Sequence, residues 1–113
     1  MNFSGKTAVV TGGSRGIGRA ICLKLAAGGA HVVLCYAGNE DAARETAAEC
    51  EKLGAKALAV RCNVADSAQV QALMDTAVKT FGGIHILINN AGITRDQLMM
   101  MMKEEAFDEV ISA

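Results

Sequence analysis

The chain contains no proline and no tryptophan, and only one tyrosine and three phenylalanines. With proline absent, glycine does all the punctuation. Cysteine is present but not in any metal or redox pattern. No two of the four cysteines are spaced Cys-x-x-Cys, and no histidine pair stands near them, which argues against zinc ligation and a dithiol redox motif. Cys22, Cys35, Cys50 and Cys62 are expected to be small, reduced, mostly buried side chains. No apolar run approaches the ~20 residues of a membrane-spanning helix. Charge of one sign is also lacking: the formal net charge is −1, so there is no basic field for nucleic acid or a membrane surface. The opening Met1 to Lys6 has neither the basic flank nor the apolar stretch of a secretion signal, which makes the cytoplasm the expected compartment.

What is present is a chain of 113 residues, 51% hydrophobic with mixed charges, which suits one folded domain. A chain of this size buries about 65% of the surface its unfolded form exposes, enough for one modest core. Short apolar runs alternate with helical patterns. Thr7 to Thr11, His31 to Cys35, Ala57 to Cys62 and Ile84 to Ile88 read as buried strands, the kind covered on both faces in a parallel sheet. Three helices are expected between them. The clearest spans 67–81, where Val70, Leu73, Met74, Ala77, Val78 and Phe81 form a single apolar stripe. Asp66 stands at its N-cap position with Gln69 three residues on, as in a capping box. A helix over about 40–53 opens with Glu40 and Asp41, whose charge complements the helix dipole. Gly28-Gly29, Gly54 and Gly82-Gly83 close the three helices.

Strand–helix units in this order imply right-handed crossovers and an open α/β sheet of four parallel strands, ordered 3-2-1-4 and flanked by helices, a Rossmann-type fold. A fourth helix is expected to begin within about Lys103 to Ser112. Strand four would then have an open edge, Ile84 to Ile88, able to template self-association.

The loop after the first strand reads Thr11-Gly12-Gly13-Ser14-Arg15-Gly16-Ile17-Gly18. Gly12 would let the chain turn off the strand, Gly16 would clear the approach of a pyrophosphate, and Gly18 would let the helix pack on the sheet. The free N–H groups at the helix start then favour an anion. A glycine-rich loop alone is weak, but this one has a strand before it and a helix after it. Gly12-x-Ser14-x-Gly16 also fits a hydrolase nucleophile elbow, with Asp66 and His85 following in order. That reading is disfavoured because His85 opens its strand, at the opposite end of the sheet from Ser14. His31 and His85 are expected to be exposed strand-start residues.

A site for NAD calls for an acid at the end of the second strand. Cys35-Tyr36-Ala37-Gly38 stands there, and the first acid, Glu40, already lies in the following helix. Tyr36 falls at the adenosine end. Arg15 in the glycine loop suits a 2′-phosphate, which favours NADP(H) over NAD; the lesser alternative is a solvent-exposed charge. Asn63-Val64 and Asn89-Asn90-Ala91-Gly92 follow the third and fourth strands, on the ligand side of such a sheet. Taken alone, the second of these could be a plain turn.

Thr-Gly-x-x-x-Gly-x-Gly at 11–18 together with Asn-Asn-Ala-Gly at 89–92 resembles the short-chain dehydrogenase/reductase family. The opening Met-Asn-Phe-Ser-Gly-Lys, and Asn89 to Lys103, most resemble its 3-oxoacyl-acyl-carrier-protein reductases. The resemblance covers the whole chain. It implies an enzyme of fatty-acid synthesis that reduces an acyl-carrier-protein-linked 3-oxoacyl thioester with NADPH. By position it implies Gly12, Ser14, Arg15, Gly16, Ile17 and Gly18 around the phosphates, Asn63 and Val64 flanking the adenine, and Asn90, Ala91 and Gly92 beside ribose and nicotinamide.

The sequence departs from that pattern. Met101 stands where an arginine is common, and His85 where an aspartate is common. The Met99–Met102 run reads most simply as apolar packing, or else as an adaptable partner surface. The family's catalytic Asn, Ser, Tyr and Lys find no counterpart within residues 1–113 and are expected beyond Ala113. The only tyrosine, Tyr36, is followed four residues later by Glu40 rather than by a lysine. The expectation is one cofactor-binding half-domain that is inactive by itself. The alternative is a non-catalytic NADP(H)-binding module.

Overall fold

Apolar and β-branched residues make up all of Thr7–Thr11 and all but the first residue of His31–Tyr36, and both segments are strands (β1 and β2) with almost every residue buried. Ala57–Arg61 forms β3 and Ile84–Asn89 forms β4. Helices α1 (Gly16–Ala27), α2 (Glu40–Lys52) and α3 (Ser67–Phe81) alternate with them. The computed structural model describes residues 2–14 and 16–90, together with the backbone of 107–112.

All strand pairs are parallel. Thr7 to Thr11 pair with His31 to Cys35 on one side, and Ala8 to Thr11 with Ile86 to Asn89 on the other. The order is β3-β2-β1-β4, as the sequence predicts, extended by a fifth strand beside β4. That strand, β5 (Phe107–Ser112), corrects the expectation of a helix over Lys103 to Ser112. Ile84 pairs with Phe107 and Ile88 with Ile111, so the side of β4 expected to lie open is paired with this chain's own backbone. The physical reason is twofold. Phe, Val and Ile suit a pleated surface, and the free N–H and C=O groups of β4 need partners that no local pattern reveals. The case for self-association through an open β4 edge falls with it.

Alternation along the strands sends side chains to two cores. Ala8, Val10, Val32 and Leu34 face α1 and α2, meeting Cys22, Leu25, Ala43 and Cys50. Val9, Val33 and Leu87 face α3, meeting Val70, Leu73, Met74 and Ala77. This is the doubly wound arrangement, with helices on both faces. The edge strand β3 is only half-buried.

The helix ends carry the predicted Asp66 cap and glycine stops and one cap more, but not the capping box. Asp66 Oδ1 accepts from the Ala68 and Gln69 amides at 3.0 and 3.3 Å. The Gln69 side chain does not return to the Asp66 amide, as a capping box would have it. Its Oε1 accepts from the Asn63 amide at 2.8 Å, and its Nε2 donates to the Asp66 carboxylate at 3.1 Å. Asn39 caps α2 by accepting from Ala42 N–H at 3.0 Å. Gly82 ends α3 in the left-handed region at φ 87°, which favours glycine.

Candidate dinucleotide site

Where β1 ends, Gly12 turns the chain at φ 68° and Gly16 begins α1 at φ 62°. Between them Gly13 is buried, and its amide donates to the Cys35 carbonyl at 3.2 Å. A Cβ on Gly13 would stand 2.8 Å from Leu34 Cβ and 3.0 Å from Cys22 Sγ. A Cβ on Gly18 would collide with the Gly12 carbonyl oxygen at 1.9 Å. The first turn of α1 therefore lies directly on the loop backbone, which only glycine permits. At Gly16 a Cβ would meet nothing within 4 Å. Packing is strict at 13 and 18, while position 16 faces open space, as do Gly5, Gly38, Gly54 and Gly82; what sets this loop apart is its place between the end of β1 and the start of α1.

The strand β4 terminus closes one side. Asn90 Nδ2 donates to the Gly12 carbonyl at 3.2 Å. The Thr11 hydroxyl lies 3.3 Å from the Ile88 carbonyl and 3.4 Å from Asn89 Oδ1. The Asn-Asn pair and the glycine loop, 78 residues apart in sequence, thus form one structure. Ile17 stands beside the loop with 70% of its surface exposed, an apolar side chain left free at the helix start.

The remaining predicted residues divide. Asn63 and Val64 follow β3 at the same end of the sheet. Asn63 Oδ1 accepts from the Ala65 amide at 3.0 Å, which shapes that turn, and Val64 packs on the α3 core. Tyr36 ends β2, buried to 9% exposure, with its hydroxyl donating to Glu40 Oε1 at 3.3 Å. Arg44 Nη2 donates to the same oxygen at 3.2 Å. Arg15, Ala91, Gly92 and the Met99–Met102 run lie outside the described residues.

The structure removes the hydrolase reading. His85 Nδ1 accepts from the Thr7 amide, at the start of β1, whereas Ser14 follows its far end. Asp66 is engaged in capping α3. The histidines are not freely exposed, as expected from sequence, but half-buried. The His31 ring stacks on Phe81 with centroids 5.1 Å apart, which buries an amphipathic ring against the end of α3.

No thiol here is poised as a nucleophile. Burial pushes Cys22 up to about 12 and Cys35 up to about 11 from 9.0, and also raises Cys50 and Cys62. All four are free and buried. Among the described residues no group of three or more His, Cys, Asp or Glu could hold a metal, and no helix is long and apolar enough to cross a membrane.

Sequence reasoning missed Thr46 and Arg19. Thr46 sits in the buried stripe of α2 with Ala43, Ala47 and Cys50. Its hydroxyl meets the Ser14 carbonyl at 2.9 Å and Arg19 Nη1 at 3.1 Å. The signal was available: a hydroxyl on the buried face of an otherwise apolar helix needs a partner.

A family model of short chain dehydrogenases matches residues 6–113. The 3-oxoacyl-acyl-carrier-protein reductase FabG of Staphylococcus aureus is 47% identical over 106 residues, 94% of this chain. The chain spans 43% of that relative's length. A short-chain dehydrogenase from Burkholderia cenocepacia, solved in complex with NADP, superposes with a TM-score of 0.79 at 45% identity, covering 84% of this chain and 39% of its own. One from Burkholderia phymatum, in complex with NAD, superposes with a TM-score of 0.75 at 43% identity, covering 80% and 32%.

Proposed function

Because the chain belongs to the short-chain dehydrogenase family, we propose that residues 1–113 are its dinucleotide-binding half-domain, that the cofactor is NADP(H), and that the parent reaction is reduction of a 3-oxoacyl-acyl-carrier-protein to the 3-hydroxyacyl form in fatty-acid synthesis. The observation that carries the reading is the glycine loop, closed by contact at Gly18 and open at Gly16. Its residues fit a pyrophosphate, which needs close backbone approach and free helix N–H groups. On this reading Gly12, Ser14, Gly16, Ile17 and Gly18 surround the phosphates, with Arg15 beside them. Asn63 and Val64 flank the adenine, and Asn90, Ala91 and Gly92 face the ribose and nicotinamide.

The structure neighbours take both NADP and NAD, so the choice rests on this chain's own residues. No acid ends β2. The nearest, Glu40, belongs to α2, and its carboxylate is engaged by Tyr36 and Arg44. A ribose 2′-hydroxyl therefore lacks the acceptor that an NAD site supplies, while Arg15 offers a fork suited to a 2′-phosphate. The substrate class rests on the likeness to the Staphylococcus reductase. Four free thiols suit the reducing cytoplasm.

Reduction of the 3-oxo carbon takes a hydride, which NADPH supplies when bound, and a proton on oxygen. The proton donor is not among these residues. The only tyrosine is Tyr36, buried at the end of β2 with its hydroxyl given to Glu40. On this reading the 113 residues by themselves hold the cofactor without turnover; the second reading is a non-catalytic NADP(H)-binding module that is no part of a reductase.

The test is thermal unfolding with NADPH and with NADH. At a hundredfold excess over Kd the stabilisation is about 2.7 kcal/mol, a rise of roughly 10 °C or more. NADH should give less. No shift with either cofactor overturns the proposal. Oxidation of NADPH by the chain with an acetoacetyl thioester overturns the inactive half-domain.

A further inference from the structure

Thr46 is wholly buried in α2, and its hydroxyl is the meeting point of three elements. Arg19 Nη1 on α1 lies 3.1 Å away, the Ser14 carbonyl of the glycine loop 2.9 Å, and the Ala42 carbonyl one turn back 3.0 Å. A guanidinium can only donate, so the hydroxyl accepts from Arg19 and must send its single proton to a carbonyl. The Ala42 carbonyl already receives an amide from the helix ladder. The Ser14 carbonyl, in the turn ahead of α1 and the shorter contact at 2.9 Å, is the better use of that proton. A chain of donors results, from guanidinium to hydroxyl to Ser14, with each bond polarising the next.

Fixing the Ser14 carbonyl fixes the peptide plane on the carboxyl side of Ser14. That plane leads into the first turn of α1, where the loop is held from the other side by Asn90 on the Gly12 carbonyl. α2 is also the helix that begins beside Tyr36 and Glu40, at the adenosine end. We propose that Thr46, backed by Arg19, is a positioning residue that latches the glycine loop to α2 and so holds the pyrophosphate cradle in its binding shape. The binding half of this proposal rests on the NADP(H) reading; the latch itself does not.

The test compares Thr46→Val, which keeps the volume and loses the hydroxyl, with Thr46→Ser, which keeps the hydroxyl. Two readouts are taken on the full chain: amide hydrogen exchange, and NADPH affinity by fluorescence well below the melting temperature. Thr46→Val should speed exchange across 12–18 about tenfold, leave the amides of α3 unchanged, and raise the Kd for NADPH about tenfold. Thr46→Ser should restore both to within about threefold. Unchanged loop exchange in Thr46→Val overturns the latch. So does an equal acceleration in the loop and α3, which would mean general loss of stability, and so does equal damage from Thr46→Ser, which would point to the methyl group. Faster loop exchange with unchanged NADPH affinity overturns the binding role. If Thr46→Val does not fold, Arg19→Met takes its place, with about threefold faster exchange confined to the loop expected and no change overturning the proposal. If the unaltered chain fails to bind NADPH while the loop responds as expected, the cofactor reading falls and the latch stands.

Discussion

At the carboxyl end of β1 the chain is nearly bare backbone. Gly12, Gly13, Gly16 and Gly18 lie within seven residues, and a Cβ at 18 would stand 1.9 Å from a carbonyl oxygen. At the amino end of the same strand Thr7 has imidazoles on both sides. His31 pairs beside it in register, and His85 Nδ1 accepts its amide at 3.0 Å. Order at the first end comes from what is missing, because glycines let backbone pack on backbone at Gly18 and leave open space at Gly16. Order at the second comes from side chains that fill the end of the sheet. A substitution at Gly13 or Gly18 fails by collision, one at the amino end by the loss of a bond.

The most severe way to break this contrast is Gly18→Ala. The new methyl cannot coexist with the Gly12 carbonyl, and the helix must lift from the loop, costing about 3 kcal/mol or more in urea unfolding. A cost under about 1 kcal/mol would mean the loop yields easily. At the other end, His85→Leu leaves the Thr7 amide without its imidazole acceptor, at about 1–3 kcal/mol, and should not alter NADPH affinity. If affinity fell as far as stability, the two ends would not be separable. Gly16→Ala sharpens the contrast from within the loop. It meets no atom but holds φ 62°, so it should cost only about 1 kcal/mol of stability while weakening NADPH binding by a larger factor.

The smallest effect near neutral pH comes from the buried thiols. Cys22 lies in the α1/α2 core, Cys35 in the α3 core, and burial raises them to about 12 and about 11. A thiol whose folded pKa stands above the unfolded value of 9.0 is fully stabilising below that pH. Its contribution is lost as pH rises toward the folded value, at up to about 1.4 kcal/mol per pH unit for each thiol. Stability should be flat from pH 7 to 9 and fall above it, and Cys22→Ala should reduce the slope. An unchanged slope would place the titration elsewhere.

The strands, helices and glycine loop were legible in the sequence because each is written in local terms. Apolar runs of five or six residues make covered strands, a stripe at helical spacing makes α3, and glycine ends each helix. Asp66 could be read as a cap because a cap acts within one turn. Residues 107–112 were not legible, since Phe107, Val110 and Ile111 stand at helical spacing although their types suit a strand, and only the line of backbone on β4 decides between the two. The partners of His85, Asn90 and Thr46 were hidden for the same reason. Each bonds to a residue 32 or 78 positions away. The sequence by itself determined the order of elements, the parallel sheet and the place of the glycine loop, because those depend on periodicity and on glycine. Only the tertiary structure decided which side chains hold that loop and what pairs with β4, because hydrogen bonds are made between neighbours in space, and those neighbours exist only once the sheet has formed.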